Sequence, residues 1–330
     1  MSAPALDTVR LASAEVELLA GLARDLPPAA SSEATVVDWV ERELGSRPSD
    51  PSPGLAHLRR AIADRSHLVH VTGLGLPDDL PGTPSAIAPR EDARLGSHDL
   101  AHLLVATQAG VVFGCDHTQG GRLANDIFSV PGAVDNTAQS QAGFRFHVDG
   151  AMDPETAPQY FSMQCLRNSE EIPTFASTVD RGDFDDETWR LLTAPVYTIR
   201  FDPRVPRTTD PTDSPMIDAT PDGGVARLSF YDDTTRVQVE ADDPEPYLAA
   251  LERMREVLNR DAVEVVLAPG DILLVDNLTT VHGRRGSAAP ISAPGRQRWM
   301  RRFWITTDGH QIDRVRQAPG RVLRSERGPR

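Results

Sequence analysis

Apolar and polar residues alternate in short runs through the middle of the chain, and this pattern predicts β-strands. The runs are bounded by glycine, proline and other turn residues, and they lie at 67–71, 123–128, 143–147, 160–166, 174–178, 196–201, 225–230, 263–267, 272–275 and 299–306. Short strands separated by turns are typical of a sandwich or a barrel. We therefore expect a mainly β fold.

Helical spacing of apolar residues occurs at three places. Residues 13–26 and 36–44 predict two helices near the start of the chain, and residues 246–259 carry an apolar stripe that predicts one helix among the strands. Residues 45–54, rich in Pro, Ser and Asp, predict a surface loop. We expect one domain over 1–330, with flanking helices at about 1–66, a β core at about 67–308 and a flexible tail at about 309–330.

Composition and charge limit the kinds of partner and the cellular compartment that we expect. Acidic residues outnumber basic ones by 48 to 34, which gives a formal charge of −14. Such a surface repels phosphate backbones and anionic membranes, so we expect neither nucleic acid nor a membrane as a partner. No apolar run approaches the ~20 residues of a membrane-spanning helix, and the first ten residues lack the pattern of a secretory signal. Only Cys115 and Cys165 are present, which favours the cytoplasm over a disulfide-forming compartment.

A histidine and a carboxylate end one of the predicted strands. In an extended chain, residues two apart point to the same side, so His147 and Asp149 can converge on one metal ion. This pair alone is weak support, because a His-x-Asp triplet occurs often by chance. The alternative for the pair is a polar strand end.

A second histidine strengthens the metal interpretation. His282 lies in another β-rich segment that is followed by a polar turn. Two histidines and one carboxylate on one face of iron(II) leave positions open for a co-substrate and oxygen. Zinc can take the same ligands, so the residue types by themselves do not decide the metal.

An arginine-rich segment, 296–302, follows His282 and leads into the last predicted strand. Arg298, Met300 and Arg302 share one face of that strand. A planar guanidinium on the metal side can hold a dicarboxylate through a bidentate ion pair. The alternative is a solvated basic strand face.

These segments together resemble the clavaminate synthase-like branch of the taurine dioxygenase superfamily, which includes arginine and asparagine hydroxylases of peptide-antibiotic pathways. The resemblance is carried, in this order, by 119–127, 146–149, 281–284 and 298–302. It implies a double-stranded β-helix, or jelly-roll, with iron(II) bound by His147, Asp149 and His282. It also implies that 2-oxoglutarate is the co-substrate, that Arg298 pairs with its distal carboxylate and that Arg302 lies near its metal-bound end.

Family members also carry a hydroxyl residue about 25 positions after the carboxylate ligand, where it assists the arginine. Thr174 stands at that distance from Asp149, with Ser177 and Thr178 as near competitors. The amino acid hydroxylases often have His-x-Glu, whereas Asp149 matches taurine dioxygenase. A carboxylate at this position argues against a halogenase, in which a small residue makes room for chloride.

The resemblance also implies a substrate. Asp232 and Asp233 lie 50 and 49 residues before His282, close to the place where the family binds the cationic end of an amino acid. Gln119 stands where a family glutamine approaches the α-amino or carboxylate group. We therefore expect O2-dependent hydroxylation of a free, basic L-amino acid in secondary metabolism. By residue type alone, the acidic pair is a solvated turn and Gln119 an ordinary turn residue.

Two alternatives remain at this point. A taurine dioxygenase-like enzyme would oxidise a sulfonate or another small molecule, although the acidic pair disfavours an anion. A jelly-roll metal protein of another class would bind zinc or have no catalytic activity.

Overall fold

The computed structural model of the protein describes residues 3–26, 32–46, 52–78, 80–130, 140, 143–151, 153, 155–200, 214–233, 236–286 and 295–324. Its α-helices are α1 (Ser13–Arg24), α2 (Glu33–Gly45), α3 (Pro53–Ala63), α4 (Leu100–Ala109), α5 (Asp186–Leu192), α6 (Glu245–Arg260) and α7 (Gly309–Gln317). Its strands are β1 (Leu6–Arg10), β2 (Leu68–Thr72), β3 (Val111–Cys115), β4 (Ala124–Phe128), β5 (Phe144–His147), β6 (Tyr160–Arg167), β7 (Thr174–Ser177), β8 (Tyr197–Ile199), β9 (Ile217–Ala219), β10 (Val225–Leu228), β11 (Val237–Val239), β12 (Val263–Val265), β13 (Ile272–Asp276), β14 (Val281–Arg284), β15 (Trp299–Thr306) and β16 (Val322–Leu323).

Two sheets face each other and form the jelly-roll. The larger sheet has the order β1-β2-β13-β6-β15-β3-β16, with β4 also paired to β15, and the smaller sheet has the order β12-β7-β14-β5. One apolar cluster joins their inner faces, with Phe161 and Met163 from the larger sheet and Ala176 and Val265 from the smaller one. The predicted mainly β fold with flanking helices is confirmed.

Helices and short hairpins cover the outer faces of both sheets. Helices α1 to α4 pack with the larger sheet in one apolar cluster. Helices α5 and α6, with the pairs β9–β10 and β8–β11, form another cluster against the smaller sheet. No helix in the described segments is both long enough and apolar enough to cross a bilayer.

Several elements differ from the sequence prediction. Strand β1 pairs in parallel with β2, and α3 begins at Pro53, inside the predicted loop, of which residues 47–51 lie outside the described part. The prediction of a single helix among the strands is wrong, because α5 precedes α6 there. Helix α4 was also missed: eight of its ten residues are buried, so it has no polar face to reveal a helical period.

Residues 309–324, which lie in the predicted flexible tail, contain a helix and a strand that pack on the rest of the protein. Asp308 caps α7 by accepting a hydrogen bond from the Gln311 backbone, and Val315 of α7 is fully buried. Strand β16 then pairs with β3, and Arg321 forms ion pairs with Asp38 and Glu41 of α2. Residues 325–330 lie outside the described segments.

Gly283, in the centre of the smaller sheet, leaves no room for a side chain. A Cβ at this position would lie 2.6 Å from the Phe144 carbonyl oxygen and would also overlap the Phe175 ring. We therefore expect Gly283→Ala to lower the free energy of unfolding by about 1 to 3 kcal/mol, as overpacking usually does. Urea denaturation measures the change. The control is Gly309→Ala, where nothing lies within 4 Å of the added methyl group. Equal midpoints for the two variants would contradict the crowded geometry.

Candidate active site

Two histidines face each other across neighbouring strands of the smaller sheet. His147 ends β5 and is the direct antiparallel partner of His282 on β14, with ring centroids 4.2 Å apart. Nε2 of His147 lies 3.6 Å from Oδ1 of Asp149, and Nε2 of His282 lies 3.8 Å from the same oxygen. All three side chains are buried. The structure thus brings together the three residues that the sequence singled out as metal ligands.

The backbone of Asp149 is fixed by an asparagine from the opposite sheet. Asn277 follows β13; its Oδ1 accepts a hydrogen bond from the Asp149 backbone N–H at 3.0 Å, and its Nδ2 donates to the Asp149 carbonyl oxygen at 2.9 Å. Nδ2 also donates to the Pro158 carbonyl oxygen at 2.9 Å. One buried amide therefore holds the turn that carries the carboxylate.

The Asp149 carboxylate is oriented by two donors from β15. Nη1 of Arg302 donates to both oxygens at 2.8 and 2.7 Å, and Nε1 of Trp304 donates to Oδ2 at 2.9 Å. Burial by itself raises the pKa of the Asp149 carboxyl, but the positive charge of Arg302 outweighs it and holds the pKa well below its usual range. Asp149 is therefore ionised, with Oδ1 towards the two imidazoles.

Both imidazoles suit a metal. Nδ1 of His147 lies 2.9 Å from the Arg145 carbonyl oxygen, which sets Nδ1 as the protonated atom and leaves the Nε2 lone pair for a ligand. Burial lowers the pKa of His282 well below its usual value, so this ring is neutral. Two imidazoles and one carboxylate fit iron(II).

A cavity of about 410 Å³ opens beside these side chains, between the two sheets. The lining combines His147 and His282 with apolar side chains, with Thr174 and with three arginines; the apolar and basic members are Ile127, Phe144, Phe161, Met163, Arg284, Arg298 and Arg302. No carboxylate side chain is among the described residues that line it.

Arg298 stands in this cavity as a buried cation. Its Nη2 donates to Oγ1 of Thr174 at 3.1 Å, and Nε has no hydrogen-bond partner within the described segments. Burial, reinforced by the positive charge of Arg284, lowers the pKa of Arg298 to about 9. A carboxylate entering the cavity would relieve both effects, so Arg298 and Thr174 fit the distal end of 2-oxoglutarate.

The alternative of a solvated basic face on 296–302 is wrong for three of its four arginines. Arg296 is exposed, whereas Arg298, Arg301 and Arg302 are buried. Arg301 points to the other side of β15, where it forms ion pairs with Asp99 and Asp126. Alternation along one strand thus assigns Arg298 and Arg302 to the cavity and Arg301 to the opposite side.

The acidic pair lies beside β5 but already has partners in the chain. The Asp232 backbone N–H donates to the Phe146 carbonyl oxygen at 2.7 Å, which brings the loop next to His147. Oδ1 of Asp232 accepts a hydrogen bond from Nε of Arg255 at 2.6 Å. Oδ2 of Asp233 lies 3.4 Å from Nε of Arg236.

Gln119 is placed outside the described cavity lining. Both ends of its amide contact the Asp126 backbone: Nε2 donates to the carbonyl oxygen at 2.8 Å, and Oε1 accepts from the N–H at 3.1 Å. The amide nevertheless retains one further N–H and one further lone pair.

Sequence reasoning missed three contributors to the site. Arg284 lies two residues after His282, so strand alternation could have placed it in the cavity. Its Nη1 lies 3.4 Å from Oγ of Ser129, and its Nη2 donates to the Ser140 carbonyl oxygen. Asn277 and Trp304 act on Asp149 from more than 120 residues away in sequence, and no local signal predicts such contacts.

This fold and donor set define the class of mononuclear non-haem iron oxygenases. The model of the taurine catabolism dioxygenase TauD, TfdA family matches residues 106–304, more than half of the chain. The chain belongs to this family. It is a non-haem iron(II)- and 2-oxoglutarate-dependent dioxygenase, which decides against the zinc-binding and noncatalytic alternatives.

Amino acid oxygenases are among the proteins to which this chain is similar. Enduracididine beta-hydroxylase of Streptomyces hygroscopicus is 26% identical over 76% of this chain and 81% of its own length. L-ornithine/L-arginine 3-hydroxylase of Catenulispora acidiphila is 28% identical over 78% of this chain and 82% of its own. A crystal structure of the non-heme iron oxygenase OrfP with Fe, succinate and (3S)-hydroxy-L-Arg aligns with a TM-score of 0.77 at 24% identity, over 96% of this chain and 99% of that one.

Proposed function

We propose that this dioxygenase hydroxylates a free L-amino acid with a basic, arginine-like side chain, in secondary metabolism of the antibiotic-forming kind. In this proposal iron(II) is held by His147, Asp149 and His282. The observation that carries it is the placement of the buried Arg298–Thr174 pair in the same cavity as both histidines. Such a cavity can hold a dicarboxylate with one carboxylate at the metal and the other at a fixed guanidinium.

Each polar group then has a defined task. Arg298 and Thr174 bind the distal carboxylate of 2-oxoglutarate, and Arg302 orients Asp149 beside the metal-bound end. Iron held by the three metal ligands would supply the oxidising chemistry, in which decarboxylation of 2-oxoglutarate to succinate and carbon dioxide is coupled to insertion of oxygen into a C–H bond. The protein selects the carbon by positioning the substrate. The apolar side chains of Phe161 and Met163, which line the cavity, exclude water from the reaction.

The substrate's basic end is assigned to the loop of Asp232 and Asp233. This loop runs beside the His147 strand, and an ionised carboxylate has about four acceptor positions, of which Arg255 uses one on Asp232. A substrate guanidinium or ammonium group would take those that remain. Gln119, which keeps one N–H and one lone pair, is assigned to the α-amino or carboxylate group.

The enduracididine and ornithine/arginine hydroxylases support a basic substrate for this chain. A cytoplasmic location is also part of the proposal, and it is supported by the two free, buried thiols.

The direct test is a screen of single L-amino acids with iron(II), 2-oxoglutarate and O2, followed by mass spectrometry. We expect one basic amino acid to gain one oxygen atom, with one succinate formed for each product. A product only from asparagine or another neutral amino acid would contradict the basic substrate and leave the oxygenase class intact. A product only from a sulfonate would reject the amino acid as well.

Two variants test the role of Asp232 on the basic substrate. Asp232→Asn should raise the KM for that substrate, because it removes a carboxylate from the binding site. Arg255→Gln removes the internal partner of the same carboxylate, and it should leave the KM unchanged or lower it. Uncoupled decarboxylation of 2-oxoglutarate without substrate should remain the same in both. If both substitutions affect only thermal stability and neither changes the KM, Asp232 serves solely to hold Arg255.

A further inference from the structure

A chain of three side chains leads from the Asp149 carboxylate towards the protein surface. Nε1 of Trp304 donates a hydrogen bond to Oδ2 of Asp149 at 2.9 Å. The Trp304 ring meets the His117 ring edge-on, with centroids 6.2 Å apart. Nδ1 of His117 lies 3.0 Å from Sγ of Cys115.

The sequence positions the far end of this chain through β3. Phe113 of β3 is the register partner of Trp304 on β15, so Cys115, two residues further, lies on the same side of the sheet as Phe113. Cys115 is fully buried, whereas the His117 side chain is 16% exposed. Burial raises the pKa of the Cys115 thiol to about 12, so the sulfur keeps its proton at neutral pH.

We propose that Trp304, Cys115 and His117 form a protective electron-transfer path, which discharges the oxidant that the metal site generates when no substrate is bound. The path goes beyond the hydroxylation of an amino acid, and it rests on Asp149 being an iron ligand. Its function is to prevent lasting oxidation of the side chains in the cavity.

The electrons and protons balance along the path. The oxidant stands two electrons above iron(II), so the path operates twice for each oxidant. In each pass one electron leaves the Trp304 indole for the metal site, which takes up one proton from solvent, and after the second pass iron(II) and one water remain. The indole radical cation then takes one electron from Cys115, and the S–H bond breaks as its proton moves to Nδ1 of His117. This leaves a thiyl radical and an imidazolium. An external one-electron reductant such as ascorbate returns an electron to the sulfur, which recovers its proton from His117.

Three features of the geometry favour this route. Indole is among the most easily oxidised side chains, and Trp304 touches a ligand of the metal directly. His117 is placed to accept the thiol proton, which lowers the free energy needed to oxidise Cys115. The partial exposure of His117 lets solvent and small reductants approach the end of the path. Met163, which lines the cavity, and Tyr231, whose ring lies 5.9 Å from His147, are the competing donors.

The test uses the iron-loaded, full-length enzyme with 2-oxoglutarate, O2 and ascorbate but no substrate. Peptide mass spectrometry measures the oxygen added to Trp304 for each succinate formed. Cys115→Ser keeps the size of the side chain but removes the oxidisable sulfur, so we expect several-fold more oxidised Trp304 than in the parent. His117→Asn should change Trp304 oxidation in the same direction. The KM and kcat for the amino acid substrate should not change in either variant.

Cys165→Ser is the matched control. Cys165 is equally buried, and burial also raises the pKa of its thiol to about 12, but its Sγ donates to the Leu267 carbonyl oxygen and contacts no imidazole among the described residues. The amount of oxidised Trp304 in the Cys165→Ser variant should equal that in the parent. Equal Trp304 oxidation in the Cys115 and Cys165 variants, or oxidation at Met163 or Tyr231 with Trp304 intact, would overturn the path.

A measurement on the unmodified protein remains if Cys115→Ser does not fold. Withdrawal of ascorbate leaves the thiyl radical without its reductant, so oxygenated Cys115 should accumulate ahead of oxygenated Cys165. Oxidation of both cysteines at the same rate would also overturn the path. Succinate is counted in every sample, so a failure of the iron and 2-oxoglutarate chemistry itself is seen separately.

Discussion

Replacement of His282 by alanine should abolish turnover and strongly reduce iron binding, while the protein remains folded. His282 is one of three donors whose ligand atoms lie within 4.8 Å of one another, and the described residues offer no other histidine at this cluster. Loss of a group that only supports a metal ligand costs about 10- to 100-fold in affinity or activity, so loss of a ligand itself should exceed this range. Iron content after anaerobic loading and succinate formation measure the two effects.

His310→Ala is the control for this experiment. His310 is exposed on α7, and its removal should change neither the iron content nor the turnover. Circular dichroism verifies that both variants are folded. Unchanged turnover of folded His282→Ala, without added imidazole, would reject the proposed ligand set.

The strands of the core were predictable because their inner and outer faces differ. Strand β15 has the predicted bounds, and β5, β6 and β7 agree with the prediction within one residue. The elements that the sequence did not predict lack that contrast or are very short. Helix α4 is buried on nearly all sides, and α5 has only seven residues. Burial that depends on distant parts of the chain leaves no period in the local sequence.

For the predicted site residues too, local sequence pattern gave the side of the strand but not the distant contacts. Alternation along a strand was enough to place Arg298 and Arg302 on one face and Arg301 on the other. It gave no information about counter-charges: the contact of Arg302 with Asp149 spans 153 residues, and that of Arg255 with Asp232 spans 23. The acidic pair therefore looked unpartnered in the sequence, and the structure gives both of its members internal arginine partners.

Arg298 and Arg301 are both buried, but their counter-charges distinguish an arginine that stabilises the fold from one that is suited to bind a ligand. Arg301 is surrounded by Asp99 and Asp126, and these carboxylates raise its pKa despite burial. Arg298 is as deeply buried but has a hydroxyl partner, and burial lowers its pKa. A buried cation without a carboxylate partner is costly, so Arg298 is suited to receive one from a ligand.

Arg298→Ala should raise the concentration of 2-oxoglutarate needed for half-maximal turnover far more than the concentration of iron. Truncation of one partner of a desolvated charge pair costs about 2 to 5 kcal/mol, which corresponds to roughly 30- to several-thousand-fold in affinity. The distal carboxylate would keep only the Thr174 hydroxyl. Titrations of succinate formation against 2-oxoglutarate and against iron measure the two requirements.

Measurements of thermal stability distinguish weaker binding of 2-oxoglutarate from a general destabilisation of the fold. Removal of the buried guanidinium of Arg298 also removes its desolvation cost, so the thermal stability of the ligand-free Arg298→Ala variant should stay the same or rise. The stabilisation that added 2-oxoglutarate gives to the iron-loaded protein should shrink. Arg296→Ala, an exposed arginine two residues earlier, is the matched control and should behave like the parent in every titration. If Arg298→Ala binds 2-oxoglutarate as tightly as the parent does, the distal carboxylate pairs with another arginine of the cavity, and Arg302→Ala and Arg284→Ala identify which one.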